Sequence, residues 1–145
     1  MRITLTTLQQ HVKNNNKFSV LTCYDATFAK ILEDSGIDVL LVGDSLGNVL
    51  KGESTTLSVT LDDVIYHTRC VSDGSNRALI MADMPFGSYQ QSPQQAFDNA
   101  SKILAAGAHM VKIEGGQVMA ETTAFLTQRG IPVCAHIGLM PQSIH

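Results

Sequence analysis

The stretch Val39-Leu40-Leu41-Val42-Gly43-Asp44-Ser45-Leu46-Gly47 carries an apolar run of branched residues to a carboxylate, a hydroxyl and a glycine-flanked loop. A strand buried on both faces reads as such a continuous run. Asp44 sits where the strand stops. Two later stretches repeat the design: Ala78-Leu79-Ile80-Met81-Ala82-Asp83 and Met110-Val111-Lys112-Ile113-Glu114-Gly115-Gly116. Polar groups at the same end of successive buried strands can converge on one small site. These stretches therefore decide both the fold and where its chemistry lies.

Towards the amino end, residues 18–24 read as a first strand with Asp25 just past it. Residues 26–34 have helical spacing, and Gly36 stands where a C-terminal glycine belongs. A leading helix over about 7–13 takes Thr6 or Thr7 as its cap. Towards the carboxyl end, a polar loop leads to Thr60, which caps a helix that stops near Gly74. Ser92-Pro93 opens the next helix, which Gly107 closes, and residues 117–128 form a further one before Gly130. Residues 133 to about 137 make the fifth strand.

This alternation predicts a parallel sheet with right-handed crossovers. Two architectures fit. A doubly wound five-stranded sheet normally closes with a final helix, whereas the chain ends a few residues past strand five. The alternative is a (β/α)8 TIM-type barrel, which needs about 250 residues. The expected fold is the barrel segment: one incomplete domain over residues 1–145, supplying about the first five strands and four helices.

The totals narrow the function. Of 145 residues, 44% are hydrophobic and the formal net charge is −3, which suits one compact domain with a core. No basic stripe points to nucleic acid. No apolar run reaches the roughly 18 residues of a membrane span, and the first residues lack a signal peptide's apolar core. Cys23, Cys70 and Cys134 are odd in number and widely spaced, as expected of reduced thiols in the cytoplasm.

In parallel α/β folds the working groups sit at the carboxyl ends of strands. Asp25, Asp44, Asp83, Glu114 and His136 all fall at or near such ends. Lys112 and Glu114 share one face of strand four, as Cys134 and His136 do on strand five. Several carboxylates without a cysteine cluster suit a hard cation, usually magnesium. A 2-oxo acid offers such an ion its keto and carboxylate oxygens. The ion would acidify the adjacent C–H, and Lys112 would balance the charge of substrate or enolate.

Plainer roles compete at every position. An aspartate at a strand end often caps a turn, Ser45 can bond its own loop, and Lys112 can pair with Glu114. His136 can be a hydrogen-bonded core group. His67 reads as packing, His109 as loop surface, and Asp62 and Asp63 as residues of a helix start.

At these stretches the sequence resembles the ketopantoate hydroxymethyltransferase family. The matching pieces are Thr22-Cys23-Tyr24-Asp25, Leu41-Val42-Gly43-Asp44-Ser45-Leu46-Gly47, Ala82-Asp83-Met84-Pro85-Phe86 and Met110-Val111-Lys112-Ile113-Glu114-Gly115-Gly116. The last is Pro132-Val133-Cys134-Ala135-His136-Ile137-Gly138-Leu139-Met140-Pro141-Gln142-Ser143. The resemblance implies a (β/α)8 barrel and the first committed step of pantothenate biosynthesis. There a one-carbon unit from 5,10-methylenetetrahydrofolate is added to 3-methyl-2-oxobutanoate, giving 2-dehydropantoate through a magnesium-stabilised enolate.

It further implies that Asp44 and Asp83 bind Mg2+, with Glu114 as a third acidic residue of the metal site, acting through water. Asp44, Ser45, Asp83 and Lys112 match positions that hold the keto acid, and Lys112 and His136 are the expected catalytic side chains. The family is cytoplasmic and forms ring-like homo-oligomers, often decamers. Its general base is a glutamate of a later strand, expected beyond residue 145. Two alternatives stand beside this reading. One is a magnesium-dependent 2-oxo-acid lyase or mutase on a related barrel, which the lack of a Lys-Lys-Cys-Gly-His loop disfavours. The other is an inactive piece that only associates.

Overall fold

The computed structural model describes residues 1–144. In chain order its elements are α1 (Leu5–Lys13), β1 (Val20–Thr22), α2 (Ala26–Asp34), β2 (Val39–Val42), α3 (Leu46–Val49) and α4 (Leu61–Gly74). There follow β3 (Leu79–Asp83), α5 (Pro93–Ala105), β4 (Met110–Glu114), α6 (Ala120–Gln128) and β5 (Val133–His136). Single 3-10 turns cover Gly116–Met119 and Pro141–Ser143. Among the described residues no helix is long and apolar enough to cross a membrane.

All strand pairs are parallel, in the order β1-β2-β3-β4-β5. A doubly wound sheet reverses its strand order at a switch point and carries helices on both faces. Here the order never reverses, so right-handed crossovers put every connecting helix on one side. The packing agrees. Alternate residues Leu40, Val42, Ile80, Ala82, Val111 and Ile113 meet Ala29 of α2, Val64 and Val71 of α4, Ala100 and Ile103 of α5 and Leu126 of α6. Among the described residues the other parity, Val39, Leu79, Met81 and Met110, packs with α1, through Leu8, and with Ile3, Phe18, Leu41 and Cys134. That second face is the inside of a barrel wall, and Asp83, Lys112, Glu114 and His136 continue its parity towards the carboxyl ends.

Local chemistry sets most boundaries. Thr60 and Asp63 form a reciprocal capping box at α4, and Ser92 caps α5 ahead of Pro93. Four expectations about the elements need correction. β1 runs over Val20–Thr22 and not over residues 18–24. α1 begins earlier than expected, because Thr4 caps it and Thr7 completes the box from the third helical position. The loop after Asp44 contains the short helix α3. The helix expected over residues 117–128 starts as a 3-10 turn and becomes α-helical only at Ala120.

The amino-terminal end of the sheet is closed by Glu33 at the end of α2. Its carboxylate accepts from the Ser75 hydroxyl and from the backbone N–H groups of Asn76, Arg77 and Ala78, the four residues that lead into β3. Arg2 adds bonds from Nη1 to the Ala78 carbonyl and from Nη2 to that of Ser75. His109, expected on the loop surface, is half-buried: Nδ1 accepts the Ile80 N–H at 3.0 Å. Burial and the nearby Arg2 hold its pKa below the ordinary histidine value, which suits an acceptor nitrogen.

Candidate active site

Three strand ends build the site. Asp83, the last residue of β3, is the register partner of Lys112 on β4. Parallel neighbours point their side chains to the same face, so Lys112 Nζ comes 2.9 Å from Asp83 Oδ1. Oδ1 is a buried oxygen whose one partner among the described residues is the Lys112 ammonium. The other oxygen, Oδ2, accepts the Asp44 backbone N–H at 3.1 Å. Gly43 leaves room for the neighbouring hydroxyl: a Cβ there would stand 2.8 Å from Ser45 Oγ, but an ordinary 3.6 Å from Asp83 Oδ2.

Ser45 turns its hydroxyl to Tyr24, 2.8 Å from the phenol oxygen. Tyr24 is held in turn by His67, whose Nδ1 lies 2.7 Å from the Tyr24 carbonyl. A carbonyl can only accept, so this contact fixes the proton on Nδ1. Asp25, a sequence candidate, does not join the site: its Oδ1 accepts the Phe28 N–H at 2.9 Å and caps α2.

The electrostatics favour a further cation. Burial pushes the Asp83 carboxyl up to about 6; Lys112 pulls it down, and the like charge of Asp44 raises it. Burial works against charge on Lys112, yet Asp83, Asp44 and Glu114 outweigh it and hold the ammonium above the ordinary lysine range. Asp44, Asp83 and Glu114 are each at least 90% buried, and among the described residues Lys112 is the single ammonium set against them. A surplus of buried negative charge is costly without a counter-ion. Hard carboxylate oxygens at the ends of adjacent strands, buried with less positive charge than negative, suit magnesium, which takes one or two protein carboxylates and completes its shell with water and substrate.

Asp44, Asp83 and Glu114 are not grouped as three direct ligands, and the expected role of Glu114, acting through water, does not require that they be. Among the described residues no three His, Cys, Asp or Glu side chains lie close enough to hold a metal ion. Glu114 is drawn elsewhere, its Oε1 accepting the Gln142 N–H at 2.8 Å. Lys112 pairs with Asp83 and not with Glu114. His136 is the register partner of Glu114, but its Nε2 lies 2.5 Å from the Leu139 carbonyl.

Sequence reasoning missed Gln142 and Tyr89. Gln142 is 4% exposed, and its Nε2 donates to Asp44 Oδ2 at 2.8 Å and to the Met84 carbonyl at 3.0 Å. Tyr89 is fully buried, its hydroxyl 2.8 Å from Gln142 Oε1. Gln142 lies within a matching stretch, and the resemblance assigns it no role there. Nothing in the sequence marked Tyr89.

Comparisons with known proteins bear on this geometry. The family described as ketopantoate hydroxymethyltransferase matches residues 2–145. The 3-methyl-2-oxobutanoate hydroxymethyltransferase of Nitrosomonas europaea is 67% identical over 144 residues, covering 99% of this chain and 54% of its own. That of Nitrosospira multiformis is 63% identical over 145 residues, covering 100% and 55%. The chain thus spans about half the length of the curated relatives it matches.

Among solved structures, 2,3-dimethylmalate lyase, a member of the PEP mutase/isocitrate lyase superfamily, aligns with TM-score 0.66 at 19% identity over 90% of this chain and 51% of its own. Phosphonopyruvate hydrolase, in a complex with oxalate and Mg++, gives 0.68 at 14% identity over 88% and 50%. At such identities the likeness shows the fold: a TIM-type barrel, of which this chain matches about half.

Proposed function

The chain belongs to the ketopantoate hydroxymethyltransferase family, and from that premise we propose that its strand ends serve the transfer of a one-carbon unit from 5,10-methylenetetrahydrofolate to 3-methyl-2-oxobutanoate. The product would be 2-dehydropantoate. The observation that carries the reading is the meeting of Asp44, Asp83 and Lys112 at the ends of three consecutive strands.

Asp44 and Asp83 would hold Mg2+, with Glu114 reaching it through water. Bound there, the ion supplies Lewis acidity to the ketone of the 2-oxo acid. The chain's own residues do the rest. Lys112 stays protonated and fixes a positive charge beside the substrate oxygens, where negative charge grows as C3 gives up its proton. Ser45, oriented by Tyr24, offers a hydroxyl to the keto acid. His136 lines the same rim. The base that takes the C3 proton is, on this reading, a glutamate outside these 145 residues. The resemblance also supports a cytoplasmic homo-oligomer. The lyase and mutase reading rests on likeness of fold alone.

The test uses the natural polypeptide that carries these residues. Deuterium at C3 of 3-methyl-2-oxobutanoate should be lost to water in a magnesium-dependent way, and added 5,10-methylenetetrahydrofolate should convert the exchange into product. Asp44→Ala and Asp83→Ala should each abolish the magnesium dependence. Unchanged turnover in both variants would refute the assignment.

A further inference from the structure

Asp44 could turn its carboxylate to more than one rotamer, because it stands on a loop past the end of β2 and not in the strand itself. One contact removes that freedom. Gln142, 98 residues later in the chain, donates Nε2–H to Asp44 Oδ2. Among the described residues no donor binds Oδ1, so the amide takes one carboxylate oxygen and leaves the other.

The amide cannot turn over without loss. Its nitrogen faces two groups that only accept, Asp44 Oδ2 and the Met84 carbonyl. Its oxygen faces the Tyr89 hydroxyl and, at 3.3 Å, the Gln90 amide nitrogen. A flipped amide would set oxygen against carboxylate and nitrogen against nitrogen. Gln142 also lends its backbone N–H to Glu114 Oε1, and the Tyr89 hydroxyl accepts the Glu114 N–H at 3.2 Å. One buried residue thus fixes the acid past β2, the backbone past β3 and the acid that ends β4.

We infer that Gln142 is a positioning residue: its amide, oriented by Tyr89, holds the Asp44 carboxylate in the rotamer that binds the divalent cation, and its backbone holds Glu114 beside it. The inference rests on the reading of Asp44 and Asp83 as cation ligands. Groups that orient a ligand from behind are worth about 10–100-fold in metal affinity.

The test reads the Kd for Mn2+ alone, by electron paramagnetic resonance, beside thermal unfolding. Wild type, Gln142→Leu, Tyr89→Phe and Asp44→Ala are compared in the natural polypeptide. Gly74→Ala, whose added methyl meets the Ala26 backbone and neither proposed ligand, controls for lost stability. Gln142→Leu should weaken Mn2+ by about 10–100-fold, and Tyr89→Phe by a smaller factor in the same direction. Gly74→Ala should lower the melting temperature and leave the Kd in place. If Gln142→Leu does not fold, Tyr89→Phe decides. Wild-type affinity in Gln142→Leu, or in Tyr89→Phe where that variant decides, alongside loss in Asp44→Ala, overturns the positioning role and leaves the site intact. No Mn2+ binding by wild type removes the cation site, and this role with it.

Discussion

Asp83 and Lys112 face each other across two parallel strands in register, with Nζ 2.9 Å from Oδ1 and side chains only 6% and 18% exposed. Neither charge is well solvated, so each depends on the other. Breaking a buried pair by removing one partner costs more than the pair's net worth, because the remaining charge stays behind.

Lys112→Met keeps most of the stem and deletes the ammonium. It leaves Asp83 and Asp44 together without a cation. The expected loss of stability is about 3 kcal/mol in denaturant unfolding without added metal. Removing a charge aimed at a developing oxyanion should also lower kcat/KM by roughly a hundredfold. A variant as active as wild type would show that Lys112 has only a structural part.

The Glu33 latch makes stability depend on acid. Burial alone would raise this carboxyl, but the Ser75 hydroxyl and the N–H groups of Ala78, Arg77 and Asn76 outweigh it and hold the pKa at about 2. A carboxyl depressed in the folded state contributes stability that is fully present above its unfolded value. That contribution fades as pH falls from the ordinary glutamate value, 4.5, towards about 2. Glu33 is half-buried, so the contribution is discounted to on the order of 2 kcal/mol. Glu33→Gln should be less stable than wild type at pH 7 and should converge with it near pH 2. Chemical unfolding across that range measures both curves, and parallel curves would remove the latch.

Gly74 closes α4 where that helix crosses the start of α2. A Cβ at this position would run into the Ala26 carbonyl, which is backbone and cannot step aside cheaply. Alanine gains about 1 kcal/mol of helix propensity, but overpacking costs about 1–3 kcal/mol. Because the clash is with backbone, the cost should exceed the gain, and Gly74→Ala should be destabilised by up to about 2 kcal/mol, read as a lower melting temperature. A melting temperature at or above wild type would mean that the two helices separate easily.

What the sequence made legible was local. Thr60 with Asp63, and Ser92 with Pro93, carry their signals within four residues, and both helices begin where those signals stand. The continuous apolar runs placed β2, β3 and β4 within a residue, with the acids at their ends. What stayed hidden was contact between distant positions. Gln142 meets Asp44 across 98 residues, and Glu33 reaches Arg77 across 44. Both are polar side chains with no periodicity to betray them. His109 misled because a histidine before a strand looks exposed, and only the sheet supplies the Ile80 N–H that it accepts. Asp25 misled for the opposite reason: a cap and a strand-end acid look alike in sequence, and the Phe28 N–H decides between them.

Gly43 ties the two levels together and yields the sharpest prediction. A methyl group there would stand 2.8 Å from Ser45 Oγ, too close, but 3.6 Å from Asp83 Oδ2, an ordinary contact. Gly43→Ala should therefore drive Ser45 off the Tyr24 hydroxyl and spare the carboxylate. The expected split is a raised KM for the 2-oxo acid with Mn2+ affinity unchanged, and a stability loss of about 1 kcal/mol. Ser45→Ala alone should raise KM and cost little stability. In the double variant the clashing oxygen is gone, so stability should return while KM stays high. The cycle is non-additive because both changes act through one oxygen. Additive stability losses would mean that the added methyl meets something other than Ser45, and weakened Mn2+ in Gly43→Ala would mean that Asp83 had moved as well.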